Sequence, residues 1–208
     1  FVMHQWLFDL GLWKLYKLGG LNAMIAYNWI ISAVFLFLYS RLIKLKVGQI
    51  SGAVRLFLLL WLLLMSMGYL FQRPQTMSGL IFLLEIYLLE RSVNQPRVPR
   101  VLIPLFFLLS VLLVNLHGAM WPMFTVFLLP YTFEALVGPH LPFSKWELTW
   151  KAKDFLLLFA AIVAGGFCSP YGTESMTYAF NSYGYKDINQ LVSEMHPLSM
   201  DPGFPYLV

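Results

Sequence analysis

The sequence predicts an all-α fold: a polytopic transmembrane helical bundle of about six spans, with an interfacial amphipathic helix. Three observations carry this reading. Of 208 residues, 59% are hydrophobic and only 12% charged, against roughly 25% charged in a soluble domain. Stretches such as LFLLLWLLLMSMGYLF (residues 56–71) carry no charge over a length that crosses much of a bilayer. Lys and Arg gather between alternate apolar segments, as the positive-inside bias requires.

Residues 1–20 form the first element. Trp6, Leu7, Leu10, Trp13 and Leu18 alternate with Asp9, Lys14 and Lys17, which reads as an amphipathic helix on the outer interface, closed by Gly19-Gly20. The same charges exclude a signal peptide. Phe1 in place of Met suggests an internal portion of a longer protein. Residues 21–168 form the bundle, with apolar segments at Leu21–Ile43, Val54–Phe71, Met77–Leu89, Val101–Val114, Ala119–Val137 and Phe155–Cys168. Several fall short of the roughly 20 residues that a perpendicular span needs, so their helices must continue into polar flanks or recess them. Residues 169–208 read as an outer-face loop, rich in Tyr, Gly and Pro, leading toward a further span at Phe204–Val208.

Orientation follows from the 14 basic residues. Alternating six spans puts Arg41, Lys44, Lys46, Arg55, Arg91, Arg97, Arg100, Lys145, Lys151 and Lys153 on one side, which is then cytoplasmic. Lys14, Lys17, Arg73 and Lys186 fall on the other. A single crossing over 101–137 would blunt that asymmetry. Two spans are therefore expected, with Asn115-Leu116-His117-Gly118 at the outer turn and Pro122 opening the next helix, where its missing N–H costs little. The lone Cys168 excludes an internal disulfide and any Cys-based metal site. The net charge of +4 flanks spans and does not point to nucleic acid. No nucleotide-binding loop, nucleophile elbow or HExxH motif occurs.

Five polar clusters share the predicted outer face: His4-Gln5-Trp6, Arg73-Pro74-Gln75, Asn115/His117, Ser169-Pro170-Tyr171-Gly172 and Glu194-Met195-His196-Pro197. Each has a plain reading. Arg73 before proline can be a snorkelling residue that ends a helix, and Asn115 and His117 can satisfy backbone groups at a tight turn. Glu194 and His196 can be solvated surface. Glu85, in the third apolar segment, is either a proton relay or a protonated or hydrogen-bonded helix contact. His4, His117, Glu194 and His196 are ligand types that suit a divalent cation. Their spacing matches no recognised site, and no metal site is assigned.

In order, HQWLFDLGLWKLYKLGG, QRPQTMSGLIFLLEIYLLER, IPLFFLLSVLLVNLHGAMWP, CSPYGTESM and SEMHPLS resemble a family of bacterial multi-spanning proteins of the GT-C glycosyltransferase type. The family pattern runs H-E-W-L, R-P-Q, N-x-H-G, N-P-Y-G, E-W, and the resemblance covers most of the chain. It implies a multi-pass protein of the bacterial inner membrane that transfers a sugar from a polyprenyl-phosphate carrier at the outer face. The family's catalytic acid, in the first outer loop, would lie before Phe1. Gln5, Ser169 and Met195 depart from the pattern. On this resemblance Arg73 is the phosphate partner, Asn115 and His117 bind sugar hydroxyls or phosphate, and Glu194 or His196 orients the acceptor.

Two other readings stand beside it. One is a non-catalytic scaffold subunit of a larger membrane complex, suggested by the substituted motif positions. The other is a secondary transporter, suggested by Glu85 and Gly165-Gly166, although the chain lacks an inverted internal repeat.

Overall fold

The computed structural model describes residues 4–66, 72–140 and 148–182, and these are all-helical, without strands. Eight α-helices follow in order. They are α1 (Trp6–Val47), α2 (Gly52–Ser66), α3 (Pro74–Ser92), α4 (Leu102–His117), α5 (Trp121–Val126), α6 (Leu129–Val137), α7 (Ala152–Gly166) and α8 (Thr173–Ser182). One turn of 3₁₀-helix joins α4 to α5 at Gly118–Met120.

The amphipathic segment and the first apolar segment are one helical element, broken in direction where the glycines fall. Gly19 leaves helical geometry at φ −151°, and Gly20 takes φ +57°, a region open to glycine at no steric cost. Pro74 opens α3, where its missing N–H is one of the groups that the helix cannot satisfy anyway.

The apolar segment 119–137 is expected as one helix and is instead two. α5 ends at Val126, four residues before Pro130. A proline ring clashes with the carbonyl four residues back and offers it no N–H, so the chain turns at Phe127-Leu128 and restarts as α6. The expected loop after Ser169 contains a helix, α8, preceded by Gly172 at φ +53°.

Two stretches, Trp6–Val47 and Leu102–His140, are long and apolar enough to cross a membrane. The second is not a single stroke. Ser78 at the start of α3 bonds His117 at the end of α4, so α3 and α4 are antiparallel. Tyr131 of α6 then bonds Glu90 at the far end of α3, so the chain has doubled back after His117. The bundle thus has a His117 end and a Lys46 end. Arg41, Lys44, Lys46, Arg91, Arg97, Arg100, Lys151 and Lys153 lie at or just beyond the helix termini of the Lys46 end.

The core lies between α3, α4, α5–α6 and α7. Leu89, Phe106, Leu113, Phe124, Leu158 and Ile162 are fully enclosed there. α4 and α7 run parallel and meet closely. A Cβ on Gly165 would stand 2.5 Å from the Phe107 carbonyl oxygen and 2.8 Å from Ser110 Cβ. Ser110 donates to the Ile162 carbonyl at 2.6 Å and accepts from the Trp121 indole at 2.8 Å, which fastens α5 onto the same seam. By contrast α2 buries no side chain. Outside the core Leu21, Trp29, Phe57 and Trp61 are exposed, which fits helices surrounded by apolar solvent.

Gly165→Ala should destabilise the protein by about 1–3 kcal/mol, the usual cost of overpacking, because the obstructing atom is backbone. Gly11→Ala, with nothing within 4 Å of its Cβ, should show no such loss. Equilibrium unfolding of both variants in detergent checks this, and equal midpoints would refute the close α4–α7 contact.

Candidate functional site

Four of the five sequence clusters meet at the His117 end. The chain before α1 reaches the end of α4 through its backbone, with the Gly118 N–H donating to the His4 carbonyl at 2.6 Å. A Cβ on Gly118 would stand 3.0 Å from the Ser175 carbonyl oxygen and 3.3 Å from that of His4. Glycine is needed there for proximity.

Asn115 is the hub. Its amide nitrogen donates to the Val111 carbonyl at 2.7 Å and to the Cys168 carbonyl at 2.9 Å. Its oxygen accepts from the Trp6 indole N–H at 2.9 Å. One buried side chain therefore joins α1, α4 and the segment after α7. Both amide protons are used, so the hydrogen bonds in this structure make Asn115 a tie that positions the cluster.

His117 is buried, with Nδ1 and the Ser78 hydroxyl 2.8 Å apart. Ser78 also lies 3.2 Å from the Pro74 carbonyl, to which it donates. With its one proton given to Pro74, the Ser78 hydroxyl accepts from His117 Nδ1–H, which holds the ring in place. The His4 ring lies 6.2 Å from that of His117 and stacks at 4.1 Å on Tyr178 of α8. Ser169 and Ser175 hydroxyls are 2.9 Å apart, and the Ser169 oxygen accepts from the Tyr171 N–H at 3.3 Å.

Arg73 is the exposed N-cap residue of α3, one residue before Pro74 and five before Ser78. It therefore stands at the rim of the same end. Glu194 and His196 lie outside the described residues. Among the described residues no group of three or more metal-ligating side chains occurs.

Two positions carry unsatisfied polar atoms near this end, Gln75 of the Arg73-Pro74-Gln75 cluster and Asn28, which the sequence reading did not single out. Gln75 Oε1 is buried without a hydrogen-bond partner, as is Asn28 Oδ1 on α1. Gln75 precedes Ser78 by three residues and shares its side of α3. Asn28 is one helical turn beyond Met24, whose carbonyl accepts from Gln72 at 3.3 Å, which sets it near the level of Gln75. Inside an apolar segment, Asn28 is the signal that could have been read: a lone amide where hydrocarbon is expected.

Comparison with family models, with curated proteins and with solved structures finds no match to this chain.

Asn115→Ala should cost about 1–3 kcal/mol for each buried partner left unsatisfied. In a double-mutant cycle Trp6→Phe and Asn115→Ala should be non-additive by about 0.5–3 kcal/mol; additivity would mean that the indole bond does not hold α1 in place. Burial lowers the His4 pKa from its ordinary 6.5, with Asp9 partly opposing. The unfolded chain then binds the proton more readily, so the His4 contribution is present above pH 6.5 and is lost as pH falls below it. Unfolding midpoints measured from pH 7 to pH 5 should decline, and less so in His4→Phe, which keeps the ring on Tyr178. An equal decline in both would assign the effect to another group.

Proposed function

We propose that this chain is a membrane-embedded GT-C-like glycosyltransferase, or a portion of one, that binds a polyprenyl-phosphate-linked sugar at its His117 end, on the outer face of a bacterial inner membrane. The observation that carries the reading is convergence. His4 and Trp6, Arg73 to Ser78, Asn115 to Gly118, and Ser169 to Tyr178 are far apart in sequence and gather at one end of an apolar bundle.

The chemistry suits the donor. A phosphate at the rim needs a cationic fork, and Arg73 supplies one. Sugar hydroxyls are donors, and the buried acceptors Gln75 Oε1 and Asn28 Oδ1 lack donors among the described residues. An isoprenoid chain needs an apolar surface beside that rim, and the exposed Leu21, Ile25 and Trp29 of α1 offer it. The basic residues at the Lys46 end support an orientation with that end cytoplasmic. Asn115 keeps the ends of α1, α4 and α7 in register, so it serves the site by position.

A second reading, a non-catalytic subunit of a membrane complex, draws on α2. That helix leaves Leu56, Phe57, Leu60, Trp61 and Leu64 uncovered, a face that a partner helix could occupy in place of lipid.

In proteoliposomes supplied with polyprenyl-phosphate sugars, Arg73→Ala and His117→Ala should each remove transfer, by about a hundredfold or more for loss of a charge-stabilising donor, while unfolding midpoints show the protein still folded. Full activity in both variants would end this site assignment. Stoichiometric partner chains after mild detergent extraction, with no transfer by the intact protein, would favour the subunit reading.

A further inference from the structure

The corner where α1 gives way to α2 carries charge that the protein leaves uncompensated. Residues 41–55, RLIKLKVGQISGAVR, include Arg41, Lys44, Lys46 and Arg55 and no acid. Lys46 has Glu90 against it at 2.6 Å, and the Tyr131 hydroxyl takes the other oxygen of that carboxylate at 2.8 Å. Arg41 and Lys44 are exposed, and among the described residues neither they nor Arg55 forms an ion pair. Other acids are committed elsewhere. Glu85 is enclosed in α3, Glu134 lies back over Gly138 beyond α6, and Asp154 accepts from the Lys151 N–H at 2.8 Å.

The turn between the helices sets where these cations stand. Gly48 takes φ +75° and donates to the Lys44 carbonyl at 3.2 Å, and the Arg55 N–H reaches the Ser51 carbonyl at 3.1 Å. Lys44 is thus one helical turn before the reversal and Arg55 one turn after it. α2 starts at the Lys46 end and leads to α3, which starts at the His117 end, so α2 runs antiparallel to α1. The two cations then share one level at the rim. Arg55 Nε is enclosed there without a hydrogen-bond partner.

Beside that rim both helices are apolar and uncovered. Phe37 of α1 and Phe57, Leu60 and Trp61 of α2 are exposed, and α2 buries no side chain. The Phe57 and Trp61 rings stack with centroids 6.2 Å apart. An occupant must therefore be anionic at one end and apolar along the rest. A free phosphate would leave the apolar sides bare, and an apolar partner helix would leave the cations unmatched. A phospholipid meets both demands, provided that its headgroup brings no cation of its own.

We propose that the α1–α2 corner binds an anionic phospholipid, with its phosphate between Lys44 and Arg55 and its acyl chains along α1 and α2. Arg55 offers the phosphate a planar fork of donors and Lys44 a point charge. Arg41, one turn deeper on α1, reaches the same headgroup by extending toward the interface. The site lies at the opposite end of the bundle from His117, so it stands or falls apart from the sugar-donor reading.

Native mass spectrometry of the full chain, released from vesicles of phosphatidylglycerol and phosphatidylcholine in equal parts, tests this. The parent should retain phosphatidylglycerol in preference to phosphatidylcholine. Lys44→Gln with Arg55→Gln should weaken that preference about thirtyfold, the usual effect of removing two basic residues near an anionic membrane surface. Arg97→Gln with Arg100→Gln removes equal charge from the same end, in the α3–α4 connection, and should leave the preference unchanged. A second measurement needs no variant. The unfolding midpoint of the parent should be higher in phosphatidylglycerol bilayers than in phosphatidylcholine alone, because a ligand that binds the folded state stabilises it. Equal midpoints, equal retention of both lipids, or equal losses in the two double variants would overturn the proposal. So would a stoichiometric partner chain in place of bound phospholipid.

Discussion

The close approach of α4 to α7 at Gly165 is the constraint on which the rest depends. Only a residue without Cβ lets the Phe107 carbonyl and Ser110 approach so near. That approach brings Ser110 within reach of the Ile162 carbonyl and brings the Trp121 indole to Ser110. It also sets the ends of the two helices level, so that Asn115 meets the Cys168 carbonyl. A larger residue at 165 would not only wedge the seam. It would slide the two helix ends out of register and take the Asn115 hub with them.

That hub shows how an apolar protein gains specificity where the hydrophobic effect is weak. Helices in a hydrocarbon surrounding gain little from hiding leucine from lipid, so close packing and interhelical hydrogen bonds decide which helices meet. Here the small residues Gly165, Gly166 and Gly118 mark the closest contacts. The polar residues Ser78, Ser110 and Asn115 supply the bonds between elements. The residues that look out of place in the apolar sequence are the ones that specify its assembly.

Much of this was legible in the sequence, for identifiable reasons. Gly19-Gly20 marked the bend in α1 and Asn115-Gly118 marked the reversal after α4, because glycine and short polar side chains have few other uses between apolar runs. Pro130 was an equally explicit signal, yet composition averaged over 119–137 hid the break it imposes. α8 was missed because its sequence, TESMTYAFNS, has polar residues on most sides and is placed by the stacking of Tyr178 on His4 and the close approach of the Ser175 carbonyl to Gly118, which no local pattern records. Gly165-Gly166 were noticed and read as transporter glycines; their closeness to Phe107 and Trp121 gives them a packing role. Whether a buried polar group has a partner depends on which helices come together, so the difference between the saturated Asn115 and the unpartnered Glu85 could not be read from either neighbourhood.

The two ends of the bundle differ in the kind of interaction that closes them, and the difference has consequences. At the His117 end the contacts that join distant parts of the chain are between neutral groups or rings: indole to amide, hydroxyl to imidazole, imidazole on phenol. Such contacts keep their strength in low dielectric and place no fixed charge in the interior, so a charged ligand group arriving there would meet Arg73 as its nearest fixed counter-charge on α3. At the Lys46 end the contact is an ion pair at 2.6 Å, with the lysine half exposed. Water competes for the half-exposed lysine, but Glu90 is largely enclosed at 14% exposure and is held a second time by the Tyr131 hydroxyl.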